Sequence, residues 1–279
     1  MLLFFDVDGT LIGDNHQLVA SVKPAMEAAK KNGHQIIINT GRTLCNIDHR
    51  LDGLPTDGWI LGCGTRIIYH GETLQSMEHD PEKSLLLRDV FRKLKIATVY
   101  ECDTGMYFDP DGTVHPAVDG FFRYAQQHGI ARRIDENDPE FRAVKMFCFP
   151  KRKKSISDIE RETAKIGIPY TGIDRSPEGW EIVPAGYSKG TGVTVLREKL
   201  GCDIGDCFAF GDSRNDTTMF QSVAHSIAMG NAPDDVKALC SYVTDRPEND
   251  GIQKAFEHFG LIPPLGPEKG RGGEHERKA

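Results

Sequence analysis

The stretch Leu2-Leu3-Phe4-Phe5-Asp6-Val7-Asp8-Gly9-Thr10 decides the fold of this chain. Its apolar residues 2–5 are typical of a strand buried in a parallel sheet. Two carboxylates follow at once, at the edge of the sheet where open α/β folds bind their ligands. Because the two are separated by one residue, an extended chain points Asp6 and Asp8 into one site.

The spacing of Asp6 and Asp8 has chemical consequences. Carboxylates this close repel each other, so either a cation lies between them or one of them is protonated. In both cases one carboxylate can attack as a nucleophile while the other transfers a proton. Asp-Gly is also common in turns, so a helix or turn cap is the alternative interpretation. We favour the reactive pair.

Strands and helices alternate along the chain on both sides of a different middle segment. The first part predicts three strands, at residues 2–5, 35–38 and 59–61. It also predicts two helices, at about 19–32 and 44–51, and a hairpin at 66–74. The alternation returns after residue 188. This rhythm predicts an open parallel sheet with helices on its faces.

The middle segment, residues 81–187, combines hairpins with helices. Helices are predicted at about 81–94, 117–128 and 155–166, and strands at 97–101, 106–108, 144–149, 170–172 and 180–183. It predicts a smaller α+β unit with a mostly antiparallel sheet. We therefore expect one α/β unit, residues 1–80 and 188–262, with 81–187 inserted into it. Residues 263–279 are rich in Pro, Gly and charged residues and are predicted to be disordered.

Composition excludes several classes of protein. The chain has 279 residues and a net charge of −7, which argues against a general nucleic-acid or acidic-membrane binder. No apolar run approaches the ~20 residues of a membrane span. The seven cysteines form no CxxC pair, which is typical of reduced thiols. Met1–Phe5 has no basic segment before Asp6, so we expect no signal peptide and a cytoplasmic location. The sequence carries no signal for an oligomeric state.

Two further strand ends carry groups that suit a phosphate. Thr40-Gly41 follows the second strand and offers a hydroxyl and backbone N–H groups to phosphate oxygens. Lys189 opens a helix, where a cation is unfavourable unless an anion lies near it. Taken singly, an N-cap explains Thr40 and a solvated side chain explains Lys189.

A third strand end suits a metal ion. Gly211-Asp212-Ser213-Arg214-Asn215-Asp216 follows a later predicted strand and adds two carboxylates to Asp6. Three carboxylates supply the oxygen ligands that Mg²⁺ prefers. Helix capping is again the alternative for this motif alone.

The four motifs together resemble the haloacid dehalogenase (HAD) superfamily of phosphotransferases. They are DVDGT at 6–10, NTGR at 39–42, SKG at 188–190 and GDSRND at 211–216. The insertion between the second and third motifs resembles that of the C2-capped, Cof-type subfamily IIB, a sugar-phosphatase-like branch. The resemblance covers residues 1 to about 262 and implies a Rossmann-like parallel-sheet core with an inserted α+β, C2-type cap.

The resemblance implies a role for each motif residue. Asp6 is implied to be the nucleophile that forms an aspartyl-phosphate, and Asp8 the general acid/base whose backbone carbonyl is a metal ligand. The predicted phosphate or substrate ligands are Thr40, Gly41, Arg42, Lys189 and Asn215. The predicted metal residues are Asp6, Asp8, Asp212 and Asp216, of which Asp216 binds the ion or orients its water.

Three places in the sequence leave the substrate open. Cys63-Gly64-Thr65 stands where the branch usually has an Asn-Gly-Ala-like turn. Arg42 either binds substrate or phosphate, or pairs with a core carboxylate. Arg175, Glu178 and Trp180 in the cap either face the substrate or form an ordinary hairpin.

The sequence predicts Mg²⁺-dependent hydrolysis of a small phosphorylated metabolite, with a sugar phosphate as one candidate. The alternatives are a phosphomutase, a phosphatase of phosphoglycosides or phosphoglycerates, a signalling module that carries phospho-Asp, and a non-catalytic binder of a phosphate ligand.

Overall fold

The computed structural model describes residues 1–152, 154–175 and 179–265. The strands are β1 (Leu2–Phe5), β2 (Gln35–Asn39), β3 (Gly58–Leu61), β4 (Arg66–Tyr69), β5 (Glu72–Ser76), β6 (Ala97–Glu101), β7 (Met106–Phe108), β8 (Ala131–Arg133), β9 (Lys145–Phe149), β10 (Tyr170–Asp174), β11 (Trp180–Pro184), β12 (Cys207–Gly211), β13 (His225–Ala228) and β14 (Tyr242–Val243). The helices are α1 (Val22–Lys31), α2 (Pro81–Leu94), α3 (Pro116–Gln127), α4 (Lys154–Lys165), α5 (Lys189–Lys199), α6 (Thr217–Phe220), α7 (Asp234–Lys237) and α8 (Gly251–His258).

The first sheet has the strand order β14-β13-β12-β1-β2-β3-β4-β5. Pairing is parallel from β14 to β3 and antiparallel in the hairpin β3-β4-β5. Strand β1 lies near the middle, and helices cover both of its faces. Leu3 and Phe5 pack with residues of α1 and α8, whereas Leu2 and Phe4 pack with residues of α5 and α6. This two-sided burial explains why residues 2–5 are uniformly apolar.

The second sheet has the order β10-β11-β9-β6-β7-β8 and is antiparallel except for the β7–β8 pair. Helices α2 and α4 pack on one face, around Tyr100 and Met146. Helix α3 covers part of the other face, around Val99 and Met106. The chain leaves the first sheet after β5 and returns to it at β12, so the predicted fold class, a Rossmann-like sheet with an α+β insertion, is confirmed.

The domain boundaries at residues 80 and 188 remain a prediction. Of the predicted disordered tail, residues 266–279 lie outside the described residues. In the described part of the chain, no helix combines the length and the apolar character needed to cross a membrane.

The prediction of a helix at about residues 44–51 is wrong. Leu44–Asn46 and His49–Leu51 form two separate 3₁₀ turns, because the residues between them are extended. Asp48 accepts a hydrogen bond from the backbone N–H of Arg50 and so caps the second turn instead of continuing the first. The sequence analysis also missed β8, a three-residue edge strand with two exposed arginines.

Candidate active site

The motif residues meet at one edge of the first sheet. Strands β1, β2 and β12 run parallel, so the residues that follow them, Asp6, Thr40 and Asp212, lie at the same edge. The N–H of Asp6 still donates to the carbonyl oxygen of Phe210, at 2.9 Å, which continues the β1–β12 ladder into the site. Lys189 is the first residue of α5, whose N-cap is Ser188.

The Lys189 side chain joins two of these carboxylates. Its Nζ donates to Asp6 Oδ1 at 2.5 Å and to Asp216 Oδ1 at 2.7 Å, and the side chain is 0% exposed. Burial alone lowers the pKa of an amine, but the charges of Asp216 and Asp6 hold the pKa of Lys189 above its usual range. Lys189 is therefore a fixed positive charge at the base of the site.

Asp6, Asp212 and Asp216 form a cluster whose carboxylate oxygens lie within 4.8 Å of one another. Burial raises the pKa of Asp6 to about 6, although Lys189 opposes this increase. Burial, followed by repulsion from Asp6 and Asp216, raises the pKa of Asp212 to about 8. A divalent cation would remove this repulsion, and an all-oxygen donor set suits Mg²⁺. The residues therefore fit the predicted ion.

Two local features hold the cluster together. Asp216 Oδ2 accepts hydrogen bonds from the backbone N–H groups of Asp212 and Ser213, at 3.1 and 3.0 Å. Gly9 has a φ of +84°, and a Cβ on it would lie 2.3 Å from Asp212 Oδ2. The DVDGT motif therefore needs glycine at this position, both for the backbone conformation and for the space that Asp212 occupies.

The Asp8 carboxylate lies outside this cluster and pairs with Arg42. Arg42 Nε donates to Asp8 Oδ2 at 2.9 Å, and Nη2 donates to Oδ1 at 2.7 Å. Burial favours the neutral acid, but Arg42 outweighs it and holds the pKa of Asp8 below its usual value. Of the two alternatives for Arg42, the structure contains the pair with a core carboxylate. The predicted metal contact of the Asp8 backbone carbonyl stays a prediction.

A cavity of about 400 Å³ lies between this edge and the second sheet. Seven residues that the sequence analysis named as site candidates line this cavity, namely Asp6, Asp8, Thr40, Gly41, Arg42, Arg175 and Asn215. The sequence analysis missed several others on the second sheet and α3, namely Glu101, Met106, Phe121, Tyr124, Lys145, Phe147 and Glu181. Trp180 packs in the apolar cluster on the other face of that sheet, and Glu178 lies outside the described residues.

The three smaller predicted ligands are held in place by their neighbours. Thr40 Oγ1 accepts a hydrogen bond from the N–H of Arg42 at 3.2 Å, and Asn215 Oδ1 accepts one from Ser213 Oγ at 2.6 Å. A Cβ on Gly41 would lie 2.6 Å from Glu181 Oε1. Gly41 therefore lets strand β11 approach the end of β2.

The missed charged residues form a buried network. Lys145 Nζ lies 3.1 Å from Glu101 Oε1 and 3.4 Å from Glu181 Oε1. Glu101 and Lys145 are direct partners in the β6–β9 ladder and face the same side of the sheet. Burial raises the pKa of Glu101, whereas Lys145 and Arg175 overcome burial and lower the pKa of Glu181 to about 2. One signal was present in the sequence, because Lys145 lies within the predicted strand 144–149 and Glu101 ends the predicted strand 97–101, and both strands are otherwise mostly apolar.

Cys63 connects the turn after β3 to this network. Its backbone is left-handed, with a φ of +57°, and its Sγ donates to Glu181 Oε2 at 3.0 Å. Burial raises the pKa of Cys63 well above its usual value, so the group is a neutral thiol. The residue that departs from the usual Asn-Gly-Ala-like turn therefore contacts strand β11.

The family of haloacid dehalogenase-like hydrolases matches residues 3–256. The chain belongs to this family. An HMP-PP phosphatase from Enterobacter sp. (strain 638) is 29% identical over 270 residues, which cover 92% of this chain and 95% of that protein. The 5-amino-6-(5-phospho-D-ribitylamino)uracil phosphatase YcsE of Bacillus subtilis (strain 168) is 25% identical and covers 93% of this chain and 96% of its own length.

A solved structure has a similar fold over almost the whole chain. The HAD subclass IIB sugar phosphatase BT4131 aligns with a TM-score of 0.77 and 25% identity. The alignment covers 94% of this chain and 99% of that chain. The predicted superfamily and the predicted class of enzyme, a phosphoric monoester hydrolase, are confirmed by the family match and these relatives.

Proposed function

We propose that this member of the family hydrolyses a small phosphomonoester through an aspartyl-phosphate on Asp6, with Mg²⁺ as its cofactor. One observation carries the proposal. Asp6 belongs both to the three-carboxylate cluster and to the ion pair with Lys189, and it lines the cavity. A nucleophile that attacks a phosphate dianion needs such compensating charge, because carboxylate and phosphate repel each other.

In the first step, a carboxylate oxygen of Asp6 forms a bond to phosphorus and the bond from phosphorus to the alcohol oxygen breaks. The Asp8 carboxyl gives its proton to the departing oxygen. Asp8 is ionised while Arg42 holds it, so it has to take up a proton before this step. We propose that the substrate phosphate draws Arg42 away from Asp8. Burial, which favours the neutral acid, then raises the pKa of Asp8, and the carboxylate takes up a proton from solvent.

In the second step, the Asp8 carboxylate accepts a proton from water. The water oxygen attacks phosphorus, the bond to Asp6 breaks, and inorganic phosphate leaves. Thr40, Gly41 and Asn215 contribute hydroxyl, backbone and amide groups that bind the phosphoryl oxygens. The same two carboxylates therefore serve both steps, with Asp8 acting first as acid and then as base.

Asp6, Asp212 and Asp216 would hold the metal ion. When bound, Mg²⁺ supplies positive charge beside the phosphoryl group. The rest of the positive charge comes from Lys189, which stays protonated because both of its neighbours are carboxylates.

We propose that residues 81–187 act as a cap that selects the substrate. Several side-chain contacts among the described residues hold this segment over the site, including the hydrogen bond from Cys63 to Glu181. The guanidinium of Arg66 on β4 lies 2.5 Å from Asp103, and the Tyr124 hydroxyl on α3 donates to Asn46 at 2.9 Å. A covered site excludes water from the reaction and keeps out large phosphoproteins.

We also propose a cytoplasmic location and a small phosphorylated metabolite as the partner. The seven cysteines are free thiols, which suits a reducing compartment. The cavity of about 400 Å³ is the size of a small-molecule site.

The test is phosphate release from a panel of small phosphomonoesters, with Mg²⁺ or with EDTA. We expect release that needs Mg²⁺ and falls by about 10⁴-fold or more in Asp6→Asn, which keeps the shape of the side chain but not its charge. Asp14→Asn is the matched control, because Asp14 pairs with Arg246 on the exposed surface. Equal activity of Asp6→Asn and the wild type would refute the nucleophile.

A further inference from the structure

The cavity that holds the substrate has no unpaired cation among its described lining residues. Its three cationic side chains each lie within 4 Å of a carboxylate. The pairs are Arg42 with Asp8 at 2.7 Å, Lys145 with Glu101 at 3.1 Å, and Arg175 with Glu181 at 3.9 Å. Asp6 adds a fourth carboxylate to the same wall.

This charge balance bears on the alcohol part of the substrate. The phosphate has its own counter-charges in Lys189 and the carboxylate cluster that suits a cation. A second anionic group on the alcohol would reach the part of the wall where Lys145 is already shared by Glu101 and Glu181. In a buried site, such repulsion is screened far less than in water.

The remaining wall on this side is apolar. Phe121 and Tyr124 lie one turn apart on α3, next to Met106 of β7 and Phe147 of β9. The rings of Phe121 and Phe147 are 5.3 Å apart between centroids, with 33° between their planes. The Tyr124 hydroxyl already donates to Asn46. The hydroxyls of a sugar would lose water against this wall without gaining partners, whereas the flat face of an aromatic ring would not.

We propose that the substrate is a phosphate ester of an uncharged alcohol with a flat aromatic or heteroaromatic ring, which packs against Phe121 and Phe147. In this proposal the pairs of Lys145 with Glu101 and Glu181 reject alcohols that carry a second anionic group. The inference rests on the proposed phosphatase function and adds the class of substrate to it.

The first experiment tests whether the cavity rejects a negative charge on the alcohol part of the substrate, with two esters that differ in one group. Glycerol 2-phosphate carries a hydroxymethyl group where 2-phosphoglycerate carries a carboxylate. We expect the wild type to have a kcat/KM about tenfold or more higher for glycerol 2-phosphate. Glu101→Gln, which leaves Lys145 with a smaller negative charge around it, should reduce this ratio to about threefold or less. Glu136→Gln, at an exposed carboxylate, is the control and should keep the ratio.

The second experiment tests the ring. We expect a kcat/KM about tenfold or more higher for benzyl phosphate than for glucose 6-phosphate. Phe121→Ala should lower kcat/KM for benzyl phosphate by about tenfold. The same substitution should lower kcat/KM for glycerol 2-phosphate by less than about twofold. Phe122→Ala is the matched control, because Phe122 is the next residue of α3 but packs against Phe108 instead of lining the cavity.

The outcomes separate this inference from the proposed function. Phosphate release from none of the four esters would overturn the proposed function, and the inference with it. Release with 2-phosphoglycerate as good a substrate as glycerol 2-phosphate, or with glucose 6-phosphate as good as benzyl phosphate, would overturn the inference alone. These wild-type ratios decide the matter even if Glu101→Gln does not fold.

Discussion

Arg42 binds both carboxylate oxygens of Asp8, through Nε at 2.9 Å and Nη2 at 2.7 Å. The pair joins the loop after β2 to the loop after β1. Asp48 lies 3.5 Å from Nη1 of the same guanidinium and holds it from a second side. The proposed acid/base is therefore positioned by a residue that also lines the cavity.

This geometry predicts that Arg42→Lys impairs catalysis although it keeps the charge. A lysine cannot make two parallel hydrogen bonds, either to the Asp8 carboxylate before substrate binds or to the substrate phosphate that is proposed to draw Arg42 away. We therefore expect kcat/KM to fall by about 10- to 100-fold. Steady-state phosphate release measures the change. Arg50→Lys is the control, because Arg50 binds Asp48 but does not line the cavity. If both variants lose the same activity, the Asp8 contact is not the cause.

The carboxylate cluster predicts that Mg²⁺ stabilises the fold. At a concentration of about 100 times its Kd, the ion should raise the free energy of unfolding by about 2.7 kcal/mol. Asp212→Asn should abolish this gain and, without metal, should cost less than about 1 kcal/mol, because the carboxylate that it removes is half-buried and repelled by Asp6 and Asp216. Thermal unfolding with and without Mg²⁺ measures both effects.

The control for this measurement is Asp235→Asn, at an exposed aspartate that pairs with Arg214. It should keep the full response to Mg²⁺. A wild type that is indifferent to Mg²⁺ would contradict the metal site.

Gly9 and Gly33 form a matched pair for testing the contact with Asp212. Both have a φ of +84°, but a Cβ on Gly33 meets nothing within 4 Å, whereas a Cβ on Gly9 would overlap Asp212. Gly33→Ala should therefore show only the cost of a left-handed alanine, about 1–2 kcal/mol. Gly9→Ala should cost more and should also remove the stabilisation by Mg²⁺. Equal effects of the two substitutions in urea denaturation would refute the steric argument.

The buried Glu181 predicts a pH-dependent contribution to stability. Lys145, Arg175, Cys63 and Lys189 act on it and, against burial, lower its pKa from 4.5 to about 2 in the folded chain. A carboxylate with a lowered pKa stabilises the fold above its unfolded value, and this gain is lost as the pH falls towards the folded value.

Glu181→Gln should therefore lower the free energy of unfolding by about 3 kcal/mol at pH 7, as expected for breaking a buried ion pair. The difference from the wild type should shrink as the pH falls below about 4.5. Urea denaturation at a series of pH values measures it. A difference that grows in acid would show that Glu181 is not held as a carboxylate.

Much of the second sheet could be predicted from local sequence. The helix at Pro81–Leu94 and the strands Ala97–Glu101 and Met106–Phe108 have the predicted bounds. Asp80 caps that helix by accepting a hydrogen bond from the N–H of Lys83, and a proline follows it as the first helical residue. Such signals lie within a few residues of each other, so they are readable before the fold is known.

The sequence by itself determined where the reactive motifs lie. A short apolar run such as residues 2–5 predicts a central strand, and parallel strands bring their carboxyl ends to one edge. This is why Asp6, Thr40 and Asp212 could be placed together. The pattern of Lys189 alone was ambiguous, since an exposed lysine has the same sequence signature.

Only the tertiary structure decided which groups face each other across the cavity. The partner of Arg42 depends on the spacing of two loops, and the network of Glu101, Lys145 and Glu181 depends on the register of β6, β9 and β11. A shift of that register by one residue would turn these side chains to the opposite face. Contacts between residues so far apart in the chain follow from packing, which local sequence patterns do not specify.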